Sequence, residues 1–417
     1  MVSPDDVSAA SNPPADPAPP FARDRLARGW LGVRALSDAG DSIWTIALAW
    51  TAVQIGSPAA AGAVVAAGTI PRAAVLLVGG VVADRYDARR VMIVANLVRI
   101  AVLVAVTVRV ALGGPSLPVL VAAAVAFGLS DAVYEPSAST IGRQLVRTND
   151  LASYTGLSQT LSRVGTMSGS AAGGFVVAAW GLDGSAGLDA VTFVGVVVFL
   201  LVRLRPRYPM PRAEVEPVLR SIGRGFAHLR VAPLTRTLVV ALSGLNLFVG
   251  PAFGIGLAIA AKQEGWGATS VGIFVALDAG GAALGSLTMM RWRPRQEATA
   301  AFGWLVIQGV AIVALGLGSP VVTGIASALV GVTAGAASTL LSAVFVATVD
   351  GAFLGRMAAL QRLGDDVFMP AAMAGFGALT SATSVTTAFA SYGGAMALLM
   401  LWPLSNRALR AVTLRCD

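Results

Sequence analysis

The sequence is poor in the residues that carry most protein chemistry: 417 residues hold one cysteine, Cys416, one histidine, His228, and one lysine, Lys262. A single cysteine excludes an internal disulfide. One histidine and one cysteine leave no Cys/His metal site and no Ser-His-Asp or Cys-His catalytic set. Lys262 is followed by glutamine, so no GxxxxGK[ST] phosphate loop exists, which excludes ATP drive of that kind within this chain. An enzyme is therefore not expected, nor a bound cofactor or metal.

Charge is scarce as well, at 12% of residues against roughly a quarter in a soluble domain. What fills the chain instead is apolar: 56% of residues, with a mean hydropathy of +0.74. That composition belongs to an integral membrane protein. Twelve spans of about 20 residues each would take about 240 and leave about 177 for tails and connections. No soluble catalytic domain fits in the remainder. The net charge of +8 does not point to nucleic acid, because the basic residues sit between apolar runs and not on one face of a soluble module.

Apolar runs are expected as spans at 30–55, 59–83, 91–112, 117–141, 155–180, 186–203, 236–261, 268–290, 299–317, 320–348, 357–381 and 385–404. The connections between them alternate in charge. One set carries Arg85, Arg89 and Arg90, then Arg143 and Arg147, then a long linker, then Arg291, Arg293 and Arg295, then Arg356 and Arg362; the other set is nearly bare, as in GGPSLP and GLDGSAGLD. By the positive-inside rule this predicts a multi-pass protein of the cell membrane with both termini in the cytoplasm. The expected organisation is a disordered tail over 1–28, a six-helix bundle over 29–203, a linker over 204–235, a second six-helix bundle over 236–405 and a tail over 406–417. Within the linker, apolar residues recur every three to four positions from Val218 to Leu229, as for a helix on the inner membrane surface, with His228 a solvated linker residue.

Two motifs make the chain recognisable. The connection after the second run reads Gly80-x-x-x-Asp84-Arg85 followed by Arg89-Arg90, and it resembles the loop motif of the major facilitator superfamily. The fifth run holds Gly165, Gly169, Gly173 and Gly174, which resemble that family's antiporter motif, with Ser170 where proline is usual. Asp87 and Ala88 replace the usual Gly and Arg of the loop motif. Asp38, Asp41 and Trp44 in the first run, Arg99, the stretch Asp131 to Pro136, and Gly355-Arg356-Met357 resemble the macrolide-efflux and enterobactin-exporter branch. The resemblance implies an all-α membrane protein of twelve transmembrane helices in two pseudo-symmetric bundles around a central cavity. It also implies alternating access, a small-molecule substrate and a gating role for Asp84, with Arg143 as its candidate charge partner.

Ionisable residues inside spans are functional candidates because each costs about 2.5 to 3.5 kcal/mol at a helix centre. The first half sets Arg34, Arg72, Arg99 and Arg163 against Asp38, Asp41, Asp131 and Glu135. Asp38, Arg72, Arg99, Asp131 and Arg163 share one depth, and Asp38 with Arg99 is one expected pair, Asp131 and Arg163 lying at the same level. The second half has Asp278, Asp365 and Asp366 with no intramembrane cation, which makes them the expected proton carriers. Asn246, Gln308, Trp44, Phe248, Phe253 and Phe345 are candidate cavity residues. The expected function is a proton-coupled exporter of a small amphipathic compound such as a drug, antibiotic or siderophore, with multidrug efflux among the possible roles. An importer or uniporter of the same fold, or a non-transporting membrane sensor, is the alternative. Protons, substrate and lipid are the expected partners, no nucleic acid, and the protein is expected to be a monomer.

Overall fold

The computed structural model describes residues 19–85, 87–208, 218–350 and 353–410, with backbone alone at 72–85, 148, 152, 218–222, 354–356, 358–359, 362, 366 and 408. The outer parts of both expected tails, linker residues 209–217, and the side chains at candidates Arg72, Gly80, Asp84, Arg85 and Asp366 lie outside the described residues.

The helices begin where the sequence supplies start signals. α1 (Arg25–Ile55) is capped by Asp24, whose carboxylate accepts from the Leu26 and Ala27 N–H groups at 3.0 and 3.1 Å. α2 (Pro58–Arg85) opens on proline, whose fixed φ suits a first helical position. α3 (Ala88–Gly113) is capped by Asp87, which accepts from the Arg90 N–H at 2.9 Å. The Asp that departs from the family's loop motif thus starts a helix. α4 spans Leu117–Leu145 and α5 Leu151–Val202.

At about 1.5 Å per residue a straight α5 would be far longer than the roughly 30 Å hydrocarbon core. It breaks at Gly181, whose φ of 65° suits glycine. Arm 151–180 packs with Gly165 against Ala35 and Gly169 against Ala39, so it runs parallel to α1; arm 182–202 packs with Asp189 against Gly40 and Phe199 against Gly29, so it runs antiparallel. α5 is a helical hairpin with α1 lying along both arms. The expected connection at 181–185 shrinks to one residue.

Within the linker lies α6 (Val218–Val231), followed by α7 (Pro233–Pro251), a π-turn at Ala252–Gly256, and α8 (Leu257–Gln263). α7, the π-turn and α8 form one rod. Pro251 lacks an N–H and its ring crowds the preceding turn, which accounts for the wider turn that follows it. Then follow α9 (Ala268–Arg291), α10 (Glu297–Leu315), α11 (Pro320–Thr348), α12 (Leu354–Ala382), α13 (Val385–Ser405) and the short α14 (Arg407–Arg410).

Among the described residues eight helices are long and apolar enough to cross a membrane, α5 being counted once. α1 and α12 are not among them, and α1 carries Arg34, Asp38 and Asp41 while α12 carries Asp365 and Asp366. Large apolar side chains face outward all round, for example Leu112, Val321, Leu398 and Trp180, as a lipid-facing surface requires. Within the first half α1 packs on α5, α2 on α4, and α3 on α4 and α5; within the second, α9 packs on α11, α10 on α11 and α13, and α7 on α12. The halves meet through α2 with α12, α5 with α9, and α1 with α8.

One end of the helices carries the arginine-rich connections and is called the basic end; the other is the bare end. The expected disordered tail over 1–28 does not hold near its close. Phe21 packs edge-on to Tyr154 with ring centroids 5.9 Å apart, and its N–H reaches Asp150. Asp24 pairs with Arg207 beyond the end of α5. Burial of Asp24, 1% exposed, opposes its charge, but the Arg207 hydrogen bond and charge and the two capped N–H groups prevail and hold its carboxyl below the ordinary 3.8. His228 is half-buried and stacks on Phe353 at 4.0 Å, where a solvated residue was expected.

Candidate functional site

The site forms where α1, α5, α7 and α9 converge. A cavity of about 380 Å³ is lined by Asp38, Asp41, Ser42, Thr45, Thr166 and Ser170 of the first half, and by Phe253, Gly254 and Val275 of the second. The π-turn after Pro251 brings Phe253 and Gly254 to its wall. Of the candidate cavity residues only Phe253 lines it. Trp44 is buried and stacked on Phe127 at 5.4 Å, Phe248 packs edge-on to Tyr392, and Phe345 and Gln308 are buried.

The cavity is walled off at the bare end. The Lys262 ammonium donates to the carbonyls of Gln54, at 3.1 Å, and Val53, at the last turn of α1. The Ala59 N–H at the start of α2 donates to Ser381 Oγ of α12 at 2.9 Å. Two backbone approaches reinforce these bonds: Gly62 of α2 meets Gly377 and the Met373 carbonyl of α12, and Gly174 of α5 meets Gly272 and the Ala268 carbonyl of α9. Any Cβ there would separate the helices.

Charge gathers in the first half. Arg99 of α3, 2% exposed, pairs with Asp131 of α4, and its guanidinium lies over the rings of Tyr134 at 4.6 Å and Phe193 at 5.0 Å. Arg34 of α1 pairs with Glu135 of α4 at 3.1 Å. The expected Asp38–Arg99 pair is not formed: depth along the helices put both acids in reach, and helix rotation gives Arg99 to Asp131. Asp38 takes the Ser162 hydroxyl on one side, while its Oδ2 is buried without a hydrogen-bond partner. Arg163 is exposed and forms no ion pair among the described residues, so it stands apart from the expected layer. A polar cavity of about 530 Å³ opens beside these pairs, lined by Arg34, Asp131, Glu135, Arg143, Tyr154 and Gln159.

The second half is different. Asp278 on α9 has no ion pair or side-chain hydrogen bond among the described residues, and Asp365 on α12 accepts from Asn246 Nδ2 at 3.0 Å. Arg89 donates to the carbonyls of Leu200 and Leu201 at 2.6 and 2.9 Å and so caps the end of α5; Arg90 is exposed. Arg143 is exposed and lines the polar cavity.

One acid was absent from the sequence-level candidates. Asp189, read there as part of a bare connection, sits on the second arm of α5 and is 0% exposed. The expected span over 186–203 already contained it, but the bare stretch GLDGSAGLD ends on it, so it was counted with the connection.

The family model of the Major Facilitator Superfamily matches residues 31–364. The chain belongs to the major facilitator superfamily. Members share a transport fold that binds small molecules, and the several apolar helices fit a multi-pass membrane transporter. Among solved structures of the superfamily, the nucleoside transporter NupG is similar with a TM-score of 0.68 and 14% identity, over 93% of this chain and 100% of that one. A bacterial homologue of the human lysosomal transporter Spinster, inward-facing and unoccupied, gives 0.66 and 16%, over 93% and 96%. A POT family transporter in complex with 5-aminolevulinic acid gives 0.68 and 13%, over 93% and 97%. A search of curated protein sequences finds no match. At these identities the likeness to solved structures speaks for the fold alone.

The four glycines Gly165, Gly169, Gly173 and Gly174 all lie at helix contacts. Gly165 and Gly169 sit on the Ala35 and Ala39 carbonyls of α1, Gly173 beside Ile43 and Ile46, and Gly174 on α9. Three of the four thus join α5 to the helix that carries Asp38 and Asp41.

Proposed function

We propose that the protein is a secondary active exporter of a small amphipathic compound, driven by proton antiport through alternating access. The observation that carries this reading is the cavity between the halves, acid-lined by Asp38 and Asp41 and walled off at the bare end by Lys262 and the Gly62–Gly377 contact. In this reading twelve spans form two six-helix bundles, 29–203 and 236–405, joined by the linker 204–235. The basic end lies in the cytoplasm, so the cavity is loaded from inside. Asp84 and Arg143 serve the inner gate, and Asp278, Asp365 and Asp366 are the second-half proton carriers. The macrolide-efflux and enterobactin-exporter resemblance supports outward transport. NupG and the 5-aminolevulinic acid complex show how varied the solutes of this fold are.

The test starts from an untargeted comparison of metabolites and drug susceptibility in cells with and without the protein. A compound so found is then offered to inverted vesicles. Uptake that collapses when the proton gradient is dissipated supports the reading, and uptake indifferent to the gradient favours a uniporter. Orientation is tested by single cysteines in a Cys416→Ser background. Positions Gly184 and Thr383 should react with an impermeant thiol reagent from outside, and Ala213 should not.

A further inference from the structure

The buried acid Asp189 has no role in the reading above, and its surroundings give it one. It lies on the second arm of α5 against Gly40 of α1, where a Cβ would collide with Asp189 Oδ1 and the Thr192 hydroxyl. Gly40 therefore lets the carboxyl press on the backbone of α1, one residue before Asp41. Thr192 Oγ1 approaches Asp189 Oδ1 at 3.1 Å, while Oδ2 is buried with no hydrogen-bond partner. Asp189 is fully enclosed and Asp41 faces the central cavity, so the pair has a wet member and a dry one.

Charge counting decides what this pair holds. The charged groups facing Asp189 are Asp41 of α1, Arg99 of α3 and Asp131 of α4; those facing Asp41 are the same Arg99 and Asp131, with Asp38 of its own helix and Glu135 of α4. From the π-turn after α7 and from α9 the cavity receives Phe253, Gly254 and Val275 among the described residues. Three carboxyl groups thus surround one guanidinium, and Arg99 is committed to Asp131. Among the described residues Asp41 and Asp189 form no ion pair of their own. An enclosed anion with an unpartnered oxygen is far too costly to persist when a proton can neutralise it.

We propose that Asp41 and Asp189 form a carboxyl pair that binds one proton at the α1–α5 contact, taken from cavity water through Asp41. The site is separate from Asp278, which lies on the opposite half. The proton site does not depend on the exporter reading; its consequence for coupling does. Losing the proton adds a negative charge to the wall of the cavity, and regaining it removes that charge.

The test needs no substrate, so its failure is distinct from failure of the transport reading. Purified full-length protein in lipid is followed by infrared difference spectroscopy across a pH series, reading the carbonyl stretch of protonated carboxyl groups. Wild type should show a band that vanishes with rising pH. Asp189→Asn should lose that component, and Asp41→Asn should displace its midpoint by about one pH unit or more. Asp278→Asn should leave it in place. Thermal melting guards against misfolding: because asparagine matches a protonated aspartate in shape, Asp189→Asn should melt within about 2 °C of wild type at neutral pH. A band unchanged in both Asp41→Asn and Asp189→Asn would overturn the proposal. So would a band displaced by sodium at constant pH, or a melting loss in Asp189→Asn as large as that of Asp131→Asn.

Discussion

The two halves solve the problem of charge in a membrane in opposite ways. In the first, α1, α3 and α4 bring acids and arginines together, and Arg99 with Asp131 and Arg34 with Glu135 tie neighbouring helices. In the second, Asp278 meets no cation among the described residues, and Asp365 is held by the amide of Asn246. A paired carboxylate is committed to its cation and serves the architecture. An uncommitted one can exchange a proton without unlocking a helix contact. In the proposed reading structure and exchange are divided between the halves, with Asp41 and Asp189 as the part of the first half that the arginines do not satisfy.

The sharpest way to break this comparison is to remove a committed acid. Asp131→Asn takes from the enclosed Arg99 the acid that hydrogen-bonds it, which should cost about 3 to 5 kcal/mol and deplete the protein from membranes. Arg99→Gln should do likewise, and the double variant should recover part of the loss. Strictly additive losses in melting experiments would refute direct pairing.

A smaller effect is expected where the amino-terminal segment is fastened to the end of α5. Asp24→Ala removes both the cap of α1 and the Arg207 partner, at about 1 to 2 kcal/mol. Because the Asp24 carboxyl is held below its ordinary 3.8, its contribution is complete above that value and disappears as pH falls through the lowered one. The acid side of the melting profile should therefore flatten in Asp24→Asn, which keeps the cap but cannot ionise. An acid limb identical to that of wild type would show that the pair contributes nothing.

How much of this division was legible beforehand follows from what an apolar run encodes. Its length and period place a rod and a residue's depth in it, which is why α3, α4, α9 and α11 fall close to the expected spans. Rotation about the rod axis is not encoded, so depth alone could not choose between Asp38 and Asp131 as the partner of Arg99. Asp189 escaped because glycine and aspartate together read as a turn, yet the helix restarts directly after Gly181. The loop motif was recognisable from its residues, but the capping role of Asp87 was not, because it depends on where α3 begins. Arg163 shares the depth of the charge layer and faces away from it.

At the bare end the expected effect is smaller again. Lys262→Met deletes a cation from the negative end of α1, worth about 0.3 to 1 kcal/mol. Its readout is opening and not stability: a cysteine at Ser57, in the Cys416→Ser background, should label faster from the bare side. An unchanged rate would remove Lys262 from the closure. The smallest change in stability belongs to Asp278→Asn, within about 0.5 kcal/mol of wild type, since no partner is lost. Substrate-linked proton movement in proteoliposomes should nonetheless fall in that variant. A large melting loss with intact proton movement would reverse the assignment of the two halves.

The hairpin of α5 also bears on how the chain is made. A corner of one residue at Gly181 leaves no soluble loop to be exported ahead of the second arm. In the proposed twelve-span reading the arms 151–180 and 182–202 enter the bilayer as a pair during synthesis. Such pairing matters for an arm that carries Asp189, because an acid presented to lipid alone would cost about 2.5 to 3.5 kcal/mol at insertion. Escorted by its neighbour, that arm can keep the carboxyl turned away from lipid until α1 closes over it.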